Sequence, residues 1–187
     1  MLMTIETPIL HLPRHADSLL DAEWLFLHDH LPPDDWFNLD YAYKTSTWLT
    51  MHSRIQQRQG GLQKTSNAYQ DNRLDWANYK SQTLRQLSSH IDHLHGHHSI
   101  EDGQYFPRFV KNYPRLAAGF AILDNDHQTL NAALHDLQQS GRRLFRATLE
   151  DQQLAETLHQ QLSQVGILLS RHLSDEEDLV IPVLGLS

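Results

Sequence analysis

A pattern of histidine and glutamate occurs twice in this chain. His97 is followed four residues later by Glu101, and His172 is followed four residues later by Glu176. Residues four apart lie one turn apart on the same face of an α-helix, so each imidazole and carboxylate can bind one metal ion together. Two such helices facing each other would supply half of a dinuclear metal site.

Two further histidines, His52 and His127, each lie in the middle of an apolar stripe on another predicted helix. A buried Glu costs several kcal/mol unless its charge is compensated. Two buried Glu and four buried His would therefore destabilise a helical core that held no compensating partner. A pair of metal ions accepts neutral imidazoles and ionised carboxylates together. A single core histidine is usually satisfied within the protein, but the duplicated pattern makes metal binding the better interpretation.

The residues beside this pattern leave two alternatives open. His98 and Asp102 also stand four apart, but they lie about 60–100° from the centre of the apolar stripe, which predicts a supporting or surface position. In the second copy Glu177 could replace Glu176 as the ligand, although the match with Glu101 in the first copy favours Glu176. Asp102 and Glu177 could instead accept N–H bonds from ligating imidazoles.

Other histidines and acids near the pattern are interpreted as structural. His90 shares a helical face with His97, but it lies about two turns away, too far to bind the same pair of metal ions. Asp126 precedes His127 and could orient its ring, although a solvated acid is the more common case.

The helices that must position these residues are predicted from the spacing of apolar residues. Four long amphipathic segments cover approximately residues 35–69, 74–105, 115–145 and 148–182, and none alternates like a strand. We expect Gly60-Gly61 to kink or split the first segment. Phe106-Pro107 and Pro182 are expected to end the second and fourth, since Pro lacks an N–H. Short links between four such helices predict an all-α protein, an up-down-up-down four-helix bundle.

The N-terminal part of the chain is predicted to lie outside this bundle. Residues 1–13 show no clear period, and residues 14–31 show a helical pattern that ends at Pro32-Pro33. The expected organisation is therefore an N-terminal arm and accessory helix over residues 1–34, followed by the bundle over residues 35–187.

Composition restricts the chemistry and the partners. The 187 residues include 14 His and no Cys, so any metal must be held by nitrogen and oxygen ligands. The formal net charge is −8 and no basic patch stands out, so we expect no nucleic-acid partner. Since no apolar run is long enough for a membrane span or a signal peptide, the cytoplasm is the expected location.

The paired motifs resemble those of the hemerythrin-like family, or HHE cation-binding domains. The resemblance covers residues 40–182 and rests on the strings that start at His97-His98 and His172-Leu173, with lone histidines in the first and third helices. It implies a four-helix bundle with two Fe ions, a di-iron centre bridged by carboxylates and an oxo or hydroxo group. Zn or Mn would suit the same donor types but are less expected. The resemblance implies terminal His ligands and bridging Glu ligands, and these are His52, His97, His127, His172, Glu101 and Glu176.

The chain departs from the oxygen-carrying members of that family at Asn131. Those members have a fifth histidine one turn after the third-helix histidine, and here Asn occupies that position. One iron would then take water or another side chain, and the nearby candidates are His98, His93 and Tyr105. Ferritin-like di-iron proteins use Glu-x-x-His from two helices, whereas this chain has one such string, which starts at Glu156.

The resemblance implies two functions. The first is binding of, or reaction with, O2 or a related small oxidant such as peroxide or NO, with reversible oxygen carriage disfavoured by the change at Asn131. The alternative is a non-enzymatic iron- or oxygen-sensing module that acts through a protein partner, which the sequence does not identify.

Overall fold

The computed structural model describes residues 14–187, apart from the side chain of Leu39. Its five α-helices are α1 (Leu39–Gln70), α2 (Trp76–Ile100), α3 (Phe106–Asn112), α4 (Ala117–Arg146) and α5 (Gln152–Leu186). A π-helical segment, Glu101–Tyr105, joins α2 to α3, and short 3-10 helices cover Ala22–Asp29, Pro33–Asp35 and Pro114–Leu116. No strand occurs within residues 14–187, so the prediction of an all-α bundle is confirmed.

The four long helices form a ring. α1 packs against α2 and α5, and α4 packs against the same two helices from the other side. Asp75 and Asp151 begin α2 and α5, because the Oδ1 atom of each accepts a backbone N–H from the residue three positions later, at 2.9 Å. These caps and the short connection over residues 71–75 turn the chain back sharply.

The core divides into two apolar clusters with the histidines between them. α1, α4 and α5 contribute to both clusters, whereas α2 contributes to the first and α3, which follows it, contributes to the second. The first cluster is represented by Ile55, Leu94, Leu130 and Leu169 and the second by Leu49, Phe106, Leu123 and Leu179. Along α1 and along α4, the chain runs from the second cluster to the first. Along α2 and α3, and again along α5, it runs in the opposite direction, from the first cluster to the second. This alternation is the up-down-up-down order predicted, and it places apolar side chains on both sides of the layer that holds His52, His97, His127 and His172.

Two predicted interruptions of the helices are wrong. Gly60-Gly61 lies inside an unbroken α1. A Cβ atom on Gly61 would lie 3.0 Å from Oε1 of Gln86, the movable end of a side chain on α2. Pro107 does not end the helical path either, because it occupies the first turn of α3, where its missing N–H is tolerated.

Pro182 was also expected to end its helix, and instead α5 continues to Leu186. A proline inside a helix leaves the carbonyl four residues earlier without its usual donor. Here that carbonyl belongs to Asp178, and His28 Nε2 donates to it over 2.8 Å. The buried side chains of Ile181 and Val183 hold the last turns in the second apolar cluster, so the helix continues past the proline.

The predicted accessory helix is shorter than expected and is a 3-10 helix, Ala22–Asp29. The residues before it are attached to α5 instead of forming helical turns. His15 N donates to Ser174 Oγ over 2.9 Å, and Leu19 N donates to Asp175 Oδ2 over 3.1 Å. These backbone N–H groups therefore attach the N-terminal segment to α5. The predicted arm over residues 1–13 lies outside the described residues.

None of the helices within residues 14–187 combines the length and the apolar character that a membrane span requires.

His90 is a buried structural histidine, and it gives the fold a pH dependence. Its Nε2 atom lies 2.9 Å from Gln59 Oε1, and Gln59 Nε2 donates to the carbonyl of Leu162 over 2.7 Å. This chain of polar atoms links α1, α2 and α5. Burial, assisted by the positive charge of Arg58, lowers the pKa of His90 to about 4.

We expect the unfolding free energy of the metal-free protein to fall as the pH drops from about 6.5 towards 4. The unfolded chain takes up a proton at His90 in this range while the folded protein does not, which costs about 3 kcal/mol in full. Urea denaturation of the wild type and of His90→Gln between pH 4 and 7 measures the difference. Parallel pH profiles for the two proteins would contradict it.

Candidate metal centre

The long helices bring seven side chains together in two groups. The first group contains two histidines and two glutamates, His52, His97, Glu101 and Glu176. The second is an all-histidine group of His98, His127 and His172. Within each group, one ligand atom from every member lies within 4.8 Å of those of the others. All seven side chains are buried. The structure thus gathers the six residues predicted as ligands and adds His98.

Glu101 and Glu176 lie between the two groups, with one oxygen towards each. Glu176 Oε1 is 3.1 Å from His52 Nε2, and its Oε2 is 3.3 Å from His172 Nε2. Glu101 Oε1 is 2.8 Å from His97 Nδ1, and its Oε2 is 3.6 Å from His127 Nε2. Two carboxylates that span two sets of imidazole nitrogens can hold a pair of metal ions side by side.

His98 occupies a different position from the one expected. It is buried, with 2% of its surface exposed, and its ring stacks on that of His127 with centroids 4.1 Å apart. The phase argument assumed one buried face, but α2 packs against both α1 and α4. His97 therefore faces the ring of His52 at 5.4 Å, while His98 faces α4.

The other candidates for the position left by Asn131 lie elsewhere. Tyr105 packs edge-on against Trp48, with ring centroids 5.0 Å apart. His93 lies beside Arg58 on the outer side of α2. His93 belongs to neither of the two groups, and Tyr105 lines the same cavity as His97 and Glu101. Asn131 itself is exposed and lines a cavity together with His98.

Many polar atoms in the two groups are buried without a hydrogen-bond partner among residues 14–187. They are Nε2 of His97, both ring nitrogens of His98, Nδ1 of His172, both oxygens of Glu101 and Oε2 of Glu176. Each such atom costs about 1–3 kcal/mol if it stays unpaired. Nitrogen and carboxylate donors together suit Fe, Mn or Zn, so the residues present fit the binding of metal ions.

Acidic side chains behind three of the imidazoles fix the orientation of the rings. Glu177 Oε1 is 2.9 Å from His52 Nδ1, and Asp102 Oδ1 is 2.7 Å from His127 Nδ1. Each carboxylate accepts the Nδ1 proton, which leaves Nε2 free for a metal. Asp102 and Glu177 thus lie behind His127 and His52, and their role as supporting residues stays a prediction.

Asp126 supports a different histidine from the one beside it in sequence. Its Oδ2 atom lies 3.5 Å from Nδ1 of His172, and Arg171 Nη2 donates to its Oδ1 over 2.6 Å. The arrangement joins α4 to α5 behind the all-histidine group. Sequence proximity pointed to His127, and only the packing of the two helices identifies His172.

Trp48 is a functional residue that sequence reasoning treated only as part of an apolar stripe. Its indole Nε1–H donates to Glu176 Oε1 over 2.7 Å, and its ring is almost fully buried. A buried indole N–H needs an acceptor, and Trp48 lies one turn before His52 on the same helix face. The spacing of four residues between Trp48 and His52 is the feature of the sequence that could have placed Trp48 at the site.

The π-helical segment sets the positions of the side chains after His97. The N–H of Phe106 bonds to the carbonyl of Glu101, five residues back, which adds one residue to the turn. Glu101 at its start is buried among the ligands, and Tyr105 at its end is partly exposed. Such segments often occur at functional sites.

The histidines of the metal-free protein differ in charge. Burial lowers the pKa of His97 to about 3 and that of His98 to about 2, so both are neutral ligands. Burial opposes the charge of His52 as well, but Glu176 and Glu177 raise its pKa to about 9. Asp126 and Glu176 likewise overcome burial and raise the pKa of His172.

The two central carboxyl groups also differ. Burial, and then the neighbouring charge of Glu176, raises the pKa of Glu101 well above its ordinary value. Burial acts on Glu176 in the same direction, but His52 and His172 outweigh it and hold the pKa of Glu176 well below its ordinary value. Before any metal binds, the surroundings therefore favour the protonated form of Glu101 and the ionised form of Glu176.

Metal binding at pH 7 is therefore expected to release at least one proton per chain, from His52, and the raised pKa values of His172 and Glu101 add to this release. Because His52 must lose a proton whose pKa is about 9, metal affinity should rise steadily with pH from 6 to 9. Titration calorimetry in two buffers of different ionisation enthalpy counts the protons. Binding heats that do not depend on the buffer would contradict this result.

Two openings lead from the surface to the two groups. The apolar mouth is a cavity of about 240 Å³ that reaches His97 and Glu101, and its other walls include Lys44, Trp48, Met51, Ile100, Tyr105 and Leu184. The polar mouth is a cavity of about 330 Å³ formed by His95, His98, Ser99, Asp102 and Asn131. A larger groove of about 440 Å³ around Leu87 and Phe145 includes none of the seven side chains.

The family model for the hemerythrin HHE cation-binding domain matches residues 44–184. Neither a curated protein nor a solved structure gives a match to the chain.

Proposed function

Because the chain belongs to the hemerythrin HHE cation-binding domain family, we propose that it binds two iron ions and reacts with O2 or a related small oxidant, such as peroxide or NO. The observation that carries the proposal is the pair of buried carboxylates, Glu101 and Glu176, with oxygens directed towards two separate groups of histidines. Their unpartnered oxygens and the nearby ring nitrogens are the donors that such ions need.

We assign the ligands by group. His52 and His97 would hold one ion, the all-histidine group would hold the other, and both carboxylates would contact both ions. His98 then takes the place that the fifth histidine has in oxygen carriers and that Asn131 cannot fill. Its short ring distance to His127 and its unpartnered nitrogens support this choice.

The first ion would have two nitrogen ligands and the second would have three. The first group therefore offers fewer protein nitrogen donors than the all-histidine group does. The apolar mouth borders this same group through His97 and Glu101. A small uncharged molecule such as O2 can pass its apolar walls without losing hydration.

Iron would supply the electrons that reduction of O2 or peroxide requires. The protein residues would orient and shield the reacting position. Trp48 holds Glu176 by its indole N–H, and Glu177 and Asp102 hold the rings of His52 and His127. Apolar clusters on both sides of the layer exclude water.

The test begins with the purified protein and a count of its metals by elemental analysis. The metal-free protein is then loaded with Fe(II) under anaerobic conditions and exposed to O2 or peroxide while its visible spectrum is recorded. We expect two irons per chain and new ligand-to-iron charge-transfer absorption after the oxidant is added. Two zinc ions in the purified protein, or an intact fold that binds no metal, would contradict the proposal.

A sensing function is the second candidate, and the attachment of the N-terminal segment favours it. His15 and Leu19 donate backbone N–H groups to Ser174 and Asp175. These two acceptors lie between His172 and Glu176 on α5. A movement of α5 on metal binding would therefore reach the N-terminal segment, where a protein partner could detect it.

If the protein is a sensor, the amides of His15 and Leu19 should exchange hydrogen about tenfold more slowly in the metal-loaded protein than in the metal-free protein. The metal ties α5 to the other helices and so stabilises the acceptors of both amides. Hydrogen exchange read by NMR measures the change, with the amides of the distant connection over residues 71–75 as the control. Equal exchange in both states would remove the support for sensing.

A further inference from the structure

The polar mouth and the apolar mouth offer opposite environments to a metal ion. Side chains with nitrogen or oxygen atoms form the polar mouth, including the Asp102 carboxylate, which is 38% exposed. The apolar mouth is formed mainly by hydrocarbon and aromatic groups, and Lys44 adds a positive charge to it. A hydrated cation that entered there would lose water along the hydrocarbon walls before it reached His97 and Glu101, and the charge of Lys44 would repel it.

His98 lies at the floor of the polar mouth and connects it to the metal centre. The side chain is 98% buried, since 2% of its surface is exposed, and neither ring nitrogen has a hydrogen-bond partner within residues 14–187. The ring lines the polar cavity, and its two buried, unpartnered nitrogens are donors for an ion that passes inward from the cavity. The same ring stacks on His127, so an ion bound by His98 is already beside the all-histidine group.

Donors further out could receive the ion before His98 does. His95 and Asn131 are exposed on opposite sides of this cavity, one on α2 and one on α4. Asp102 accepts from Nδ1 of His127 through Oδ1, and its exposed side chain provides negative charge at the opening. Water ligands can therefore be exchanged stepwise for protein oxygen and nitrogen atoms along this path.

We propose that the polar mouth is the uptake site for divalent cations, in which His95, Asp102 and Asn131 receive the ion and pass it to His98. The apolar mouth is then left to the small uncharged ligand, so metal and oxidant use separate routes. This inference rests on the proposed function, because it takes the two groups as the destination of the ions.

Two neighbouring residues allow a matched test. Ser99 lines the polar mouth and Ile100 lines the apolar mouth, and both are exposed. Ser99→Lys and Ile100→Lys each add one positive charge at almost the same place in the sequence. Uptake of Co(II) by the metal-free protein, followed by its visible absorption in a stopped-flow instrument, measures the rate.

At low ionic strength Ser99→Lys should slow Co(II) uptake about tenfold, and Ile100→Lys should change it less than about twofold. The effect of Ser99→Lys should shrink as salt is added, because salt screens the new charge. Both variants should end with the same number of bound metals as the wild type. A second pair on α4 checks the result, since Asn131 lines the polar mouth and the exposed neighbour Ala132 does not. Asn131→Lys should slow uptake and Ala132→Lys should not.

The outcomes separate the inference from the proposed function. If all the proteins bind Co(II) and the two variants of each pair do so at equal rates, the uptake route is wrong while metal binding stands. A larger effect of Ile100→Lys would place uptake at the apolar mouth and would also overturn the inference. Failure of the folded wild-type protein to bind any Co(II) would overturn the proposed function and the inference with it.

Discussion

Glu176→Gln is expected to weaken binding of the metal pair by more than about 100-fold, whereas Glu177→Gln should weaken it by about 10- to 100-fold. Glu176 directs one oxygen to each group of histidines, so the loss of its charge affects both ions. Glu177 accepts from Nδ1 of His52, on the side of the ring away from the centre. Elemental analysis after dialysis against a graded series of chelator concentrations compares the two variants.

Glutamine has the shape of glutamate and can still accept the indole N–H bond from Trp48, so Glu176→Gln should keep the fold. Far-UV circular dichroism of the metal-free variant checks this point. Equal losses of metal in the two variants would reverse the assignment and favour Glu177 as the ligand, the alternative that the sequence left open.

His98→Ala is expected to weaken binding of the metal ion at the all-histidine group and to leave the affinity of the first group for its ion almost unchanged. The all-histidine group would retain only His127 and His172, while the first group would keep all of its nitrogen ligands. His95→Ala is the matched control, because His95 lines the same cavity on the same helix but belongs to neither group. The affinity of both groups for their ions should stay unchanged in that variant.

Metal titration of both variants, with elemental analysis of the products, gives these affinities directly. A His98→Ala protein that still binds two ions with unchanged affinity would return His98 to the supporting position first predicted. Water would then fill the place left by Asn131.

The spacing of the histidines and glutamates predicted much of the site, because helical geometry is local. His97 with Glu101 and His172 with Glu176 lie on one face by arithmetic alone, and the structure places both pairs at the centre of the bundle. The ligand roles of these residues remain predictions. The position of His98 could not be derived in the same way, since it depends on which neighbours α2 has in the ring.

The errors in the fold have the same origin. Pro182 is a helix terminator by local chemistry, and its effect is compensated by His28, a residue 150 positions away in the chain. The backbone of residues 15–19 was predicted to be helical, but its donors bind Ser174 and Asp175. The spacing of residues within one predicted helix gives no information about hydrogen-bond partners that lie so far away in the sequence.

The bond between His28 and the carbonyl of Asp178 also has a consequence for the order in which the protein folds. A contact across 150 residues forms late, because the entropy of closing so long a loop must be overcome first. During synthesis His28 leaves the ribosome long before Asp178 and Pro182 do. The bundle helices can pair while they emerge, but the last turns of α5 wait for the earliest-made segment to dock. We therefore expect closure of the metal centre to be among the final steps of folding.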